Sequence, residues 1–268
     1  MAWRRVIREF FIVGFIVCGL AYAQVEVWQE LKGKHFVVYF DQPDEAVAKT
    51  VLRKAERYYH TIGEQIGYTR YADFWTWEER VKIIIFTDQK SFVARTGQPL
   101  WSTAYADRDS YLFHSRTIVT YKQENNFYDG ILPHEISHLI LKDFISFDVS
   151  VPIWFEEGVA QLQESQKSKE AGHLMRTLVK QGKYIPIDTL MHSDISKEHD
   201  PRSVAVFYAQ SLSIVEFLIQ QYGDSAFADL CRNLKDGKEF SEALRLAYHN
   251  SMGSFSDLER KWLKFLSH

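Results

Sequence analysis

Three side chains within five residues carry the chemistry that this sequence offers. His134 and His138 stand four apart. On a helix that puts them about 40° apart around the axis, one turn along it and on one face. Two imidazoles so placed can share a tetrahedral zinc ion. Glu135 follows the first histidine, where its carboxylate can reach a metal-bound water without itself binding the metal. Zinc lowers the pKa of such a water, and a carboxylate can take its proton as it attacks a carbonyl. The surroundings are apolar: Ile131, Leu132, Ile136, Leu139, Ile140 and Leu141. Two histidines and a glutamate in a buried helix are costly without partners or a task.

A zinc ion that keeps one position open for water needs a third protein ligand. The acids that follow are Asp143, Asp148, Glu156, Glu157 and Glu164. Asp143 shares the helix but lies five residues past His138, which turns it off the histidine face. Glu156 and Glu157 sit in the apolar segment Pro152 to Ala160. Neighbouring helical residues point about 100° apart, so one of this pair binds metal, and spacing alone leaves open which.

The residues here carry a resemblance. His134-Glu135-x-x-His138, eighteen further residues, and then the acid of Trp154-x-x-Glu157-Gly158-x-Ala160 are similar to the gluzincin zinc metallopeptidases. Within them the chain resembles the peptidase MA-like families of exported bacterial proteins. The match is specific from Pro133 to Ala160 and holds in element order alone from His35 to Leu266. The resemblance implies Zn²⁺ as cofactor, Glu157 as third ligand beside His134 and His138, Glu135 as general base, and a peptide or protein substrate. It also implies an oxyanion stabiliser downstream. Tyr208 stands at a suitable distance and is either that donor or a cleft tyrosine with a satisfied hydroxyl. Gln161 occupies the place, one turn after Glu157, where related enzymes often carry an acid that orients a zinc-bound histidine. Arg116 to Tyr121 is either an edge strand that pairs with an extended substrate or a plain sheet strand. No Gly-x-Met-Glu-Asn motif for a substrate's free amine is present, so an endopeptidase or narrow processing peptidase is expected. The competing expectation is a catalytically silent zinc-containing binding or scaffold protein. Retention of Glu135 argues against it, because a structural zinc site does not need that carboxylate.

The elements that must position these residues follow from periodicity. Alternating and β-branched runs predict strands at His35–Phe40 and Val81–Phe86, with further extended segments around Tyr111–His114 and Thr117–Tyr121. Apolar residues at helical spacing predict a helix from Glu45 to about Ile66, capped near Asp44 and ended by Gly67, and a short one over Phe92–Gly97. After Asn126 the pattern turns helical: about Phe127–Phe144, Pro152–Glu164, Glu170–Gly182, Ser203–Tyr222 ended by Gly223, Phe227–Leu234, Glu239–His249 and Ser254–Leu266. Strands first and helices afterwards predict an α+β, zincin-like fold. Its N-terminal part holds a small mixed sheet and the active-site helix, its C-terminal part is helical, and a cleft lies between.

The N-terminus reads as a secretory signal. Arg4, Arg5 and Arg8 precede the apolar run Phe10 to Leu20, and Ala21-Tyr22-Ala23 offers a cleavage site before Gln24. This predicts a signal peptide over 1–23 and one catalytic domain over 24–268, with sub-parts of about 24–145 and 146–268. The expected location is periplasmic or secreted, with membrane contact only through an uncleaved N-terminal anchor. Cleavage would leave Cys231 alone, so no internal disulfide is expected, and a chain of 268 residues has length enough for a core without one. Against 35 acidic residues stand 32 basic ones, a balance that gives no support to a nucleic-acid partner.

Overall fold

The computed structural model describes residues 28–40, 44–68, 74–100, 102–107, 116–122, 127–145, 149–164, 166–249 and 251–267. The signal segment, Tyr111 to His114 and Asp148 lie outside them. Five strands form one mixed sheet in the order β1-β2-β3-β5-β4. They are β1 (Gln29–Lys32), β2 (Phe36–Phe40), β3 (Val81–Phe86), β4 (Ala104–Asp107) and β5 (Thr117–Tyr121). β2, β3 and β5 run parallel, and each outer strand is antiparallel to its neighbour.

The sheet's two faces follow from alternation along its strands. Phe36, Val38 and Phe40 of β2, Val81, Ile83 and Ile85 of β3, and Ile118 of β5 join the main core. That face is covered by α1 (Glu45–Gln65) and α3 (Leu132–Ile145). Ile84, Phe86 and Val119 point the other way and form a smaller cluster with Phe92 of α2 (Gln89–Thr96). Asp88 caps α2 by accepting from the Ser91 N–H, and Gly97 closes it at φ +70°. Asp44 precedes α1 without capping it. Its carboxylate instead takes Lys122 Nζ at 2.5 Å, tying the start of α1 to the end of β5.

The helical part follows: α4 (Ile153–Leu162), α5 (Lys167–Lys180), α6 (Ile187–Leu190), α7 (Pro201–Lys235), α8 (Phe240–Ala247) and α9 (Phe255–Leu266). The α+β architecture expected from the sequence is therefore present. α7 is long and apolar enough to cross a membrane by composition, but over half of its most apolar window is buried within the fold, as suits a core helix. Gly223, at φ 83° and ψ 162°, breaks it where the sequence pattern ended one helix and began another. Trp154, Trp262, Tyr59 and several phenylalanines are fully buried, which accounts for the high aromatic content. Cys231 is buried and unpaired by disulfide.

Gly158 on α4 allows the closest helix contact near the site, and the partner is α7. A Cβ there would lie 2.5 Å from the Ser211 carbonyl oxygen and 2.7 Å from Val215 Cγ2. Backbone cannot yield as a flexible side chain can. Gly158→Ala is therefore expected to lower the unfolding free energy by about 1–3 kcal/mol in urea titration, despite alanine's better helix propensity.

Candidate active site

α3 begins directly after a π-helical turn at Phe127–Ile131. Lys54 Nζ of α1 meets Asp129 Oδ1 of that turn at 2.5 Å, and the Tyr58 hydroxyl approaches the same oxygen at 2.7 Å. Ile136, Leu139 and Ile140 bury one side of α3 against α1 and the sheet face. Those contacts fix its rotation, so His134 and His138 present a shared face to α4. Asp143, farther along α3, pairs with Arg116 at 2.6 Å and accepts from Trp75 Nε1. It is directed away from the histidines, as its spacing predicts.

His134, His138 and Glu157 come together. The two Nε2 atoms lie 3.1 Å apart, and the Glu157 carboxylate oxygens lie 3.7 Å from His134 Nε2 and 3.8 Å from His138 Nε2. A tetrahedral ion with bonds of about 2.0–2.1 Å needs ligand atoms about 3.4 Å apart, so this donor set fits zinc. It is also the one group of three or more metal-ligating side chains found among the described residues. The three side chains keep 17%, 15% and 18% of their surface, so a water or substrate can reach them. His173, His192, His199 and His249 take no part, and His114 lies outside the described residues. Glu156 is turned towards Lys142 Nζ, at 3.8 Å, and stays out of the cluster.

Electrostatics prepare these groups differently. Burial, the neighbouring His134 and Lys142 push the His138 imidazole well below its ordinary pKa, which keeps it a neutral donor. Burial opposes protonation of His134 too, but the hydrogen bond to Glu164 and the surrounding carboxylates outweigh it and raise its pKa. Burial raises Glu157, with His134 opposing. Glu135 is pushed up to about 7, chiefly by burial, with His134 opposing and Glu157 reinforcing, while the Ala106 backbone N–H favours its ionised form. The Tyr208 phenol is pushed up to about 12 by burial and by the charges of Glu157, Glu135 and Glu164. It thus lies within electrostatic reach of the site and keeps its proton to donate.

Two readings of the sequence are corrected here. The partner of His134 is Glu164, whose Oε1 accepts from Nδ1 at 2.9 Å, and it is not Gln161. Glu164 is buried and also takes Lys167 Nζ at 2.7 Å. With Nδ1 donating to a carboxylate, Nε2 is left with its lone pair towards His138 and Glu157. A signal for this was present in the sequence. Seven residues beyond Glu157 is two turns of the helix that the sequence predicts to reach Glu164, and although α4 ends at Leu162, a Glu164 N–H to Gln161 C=O bond at 3.0 Å continues the turn. The second correction concerns the edge strand. Arg116 to Tyr121 is no edge, because β5 lies between β3 and β4. The end strand beside the site, among the described strands, is β4, whose four residues are too few for alternation to mark it.

With this geometry in place, similarity to known sequences can be assigned. The sequence profile of the peptidase MA superfamily matches residues 113–267, more than half of the chain. The chain belongs to the peptidase MA superfamily. Members are peptidases that typically depend on a metal ion, in keeping with the His134, His138 and Glu157 group. The superfamily match takes in β5 and every helix from α3 to α9, and leaves β4 outside. No curated protein matches the chain.

Proposed function

We propose that the protein is a zinc-dependent peptidase that cleaves peptide bonds within a peptide or protein, outside the cytoplasm. The observation that carries this reading is the convergence of His134 Nε2, His138 Nε2 and the Glu157 carboxylate at tetrahedral spacing, with Glu135 adjacent. Zinc, held by these three, would supply Lewis acidity towards a water and a substrate carbonyl. Glu135 takes the proton released on attack and returns it to the leaving amine. The Tyr208 hydroxyl donates to the oxygen on which negative charge develops. Glu164 fixes the tautomer of neutral His134, with the proton on Nδ1, and makes the Nε2 lone pair the more basic donor towards the metal position.

The substrate backbone is read as running beside β4. This is supported by the place of Ala104–Asp107 at the end of the sheet, paired with β5 alone among the described strands, and by the Ala106 N–H that faces Glu135. One catalytic domain over 24–268 is supported by a core that runs without interruption from Phe36 to Leu266. Export, with residues 1–23 as the signal, rests on the basic-apolar-small order at the N-terminus.

The test is metal analysis of the purified full chain together with digestion of a mixed peptide library before and after chelation. About one zinc per chain and chelator-sensitive internal cleavage are expected. Protein free of zinc would overturn the reading, and bound zinc with an uncut library would favour the silent binding protein instead.

A further inference from the structure

Far from the metal group, helices α5, α7 and α9 enclose an open pocket of about 570 Å³. Arg176 comes from α5, Phe217 and Tyr222 from α7, and Lys261, Lys264 and Phe265 from α9. Its floor is aromatic: the Phe217 ring lies 5.4 Å from Phe265 and 5.8 Å from Tyr222, centre to centre. No acidic residue lines it. That absence contrasts with cations elsewhere in the helical part. Arg260, next in sequence to Lys261, is paired with Asp257, and Arg232, Lys197 and Lys238 each have a carboxylate three or four residues away. Arg176, Lys261 and Lys264 make no ion pair with any described residue. Three like charges gathered around an apolar floor raise one another's energy, and an anion relieves this.

We propose that this pocket binds a small amphiphilic anion, a carboxylate or phosphate head joined to an apolar chain or ring. The cations at its rim take the head, and the Phe217, Tyr222 and Phe265 rings cover the tail. The volume falls in the ordinary range of small-molecule pockets. Tyr208 and Phe217 are nine residues apart on the unbroken stretch of α7, which puts them on opposite sides of the helix. An occupant therefore leaves the catalytic face free. It sits instead against the last turn before the Gly223 break, where Tyr222 ends the straight helix.

The experiment reads binding and not hydrolysis, so its outcome is independent of the peptidase reading. Decyl phosphate, below its micellar concentration, is titrated calorimetrically into the full chain beside inorganic phosphate and uncharged decanol. The first is expected to bind, and the other two at least tenfold more weakly, because each satisfies only half of the pocket. Lys261→Gln with Lys264→Gln, and separately Arg176→Gln, should each weaken decyl phosphate at least tenfold at unchanged thermal midpoint. Equal affinity in wild type and variants would overturn the proposal, as would no binding by the wild type. Binding to phosphatidylglycerol vesicles without binding of the monomer would replace the pocket with a membrane-facing surface.

Discussion

Glu135→Gln is expected to retain zinc and fold while kcat/KM on a cleaved peptide falls by about 10²–10⁴-fold. Glutamine keeps the shape of the side chain and can still face the Ala106 N–H, but it cannot take a proton. The loss should therefore fall on kcat, with KM within a few-fold of the wild type, because the proposed substrate contacts along β4 would not involve the missing proton acceptor. Zinc content is the control that gives the result meaning. His134, His138 and Glu157 are untouched, so a variant that lost metal would be reporting on the cage and not on the base. Full activity in a zinc-loaded Glu135→Gln protein would remove Glu135 from the mechanism.

The second large effect is expected from a residue that touches no substrate. Glu164→Gln should weaken zinc binding by about 10–100-fold, measured by competition with a fluorescent chelator. The carboxylate that accepts from His134 Nδ1 makes the imidazole a stronger donor at Nε2 and holds the ring in place. A glutamine oxygen still accepts, without the charge. Lys167 loses a partner in the same change but is 43% exposed and can be solvated, so the zinc-free protein should unfold at nearly the same urea concentration. With zinc saturating, kcat should recover towards the wild-type value, which separates positioning from catalysis. Unchanged zinc affinity would refute this role.

How much of this was legible beforehand depended on periodicity. The long helices were readable because α1, α7 and α9 bury continuous apolar stripes, and β2 and β3 because their runs are dense in Val, Ile and Phe. His134 and His138 were readable because a helix converts spacing into a shared face, whereas Glu157 was singled out from Glu156 only by the family resemblance. β1 and β4 were missed, since four residues such as Gln29-Glu30-Leu31-Lys32 owe their strand state to a neighbour's hydrogen bonds and not to their own preference. The same holds for the order of the sheet. Nothing local in Thr117–Tyr121 says that Ala104–Asp107 will cover it. Glu164 was missed for a different reason. The position one turn beyond Glu157 holds Gln161, whereas the acid that meets His134 lies just past the end of α4, where helical spacing no longer governs.

The contact at Gly158 has a consequence beyond stability. Glu157 is its immediate neighbour on α4, and Ser211, which its Cα side touches, lies three residues from Tyr208 on α7. The ligand and the proposed oxyanion donor thus ride on two rods that meet at one point, and the thickness of that point acts as a caliper for the gap between them. A single methyl group inserted there would open the jaws without altering any residue that handles metal or substrate. Activity lost in such a protein at full zinc occupancy would measure how finely the distance across the site is set.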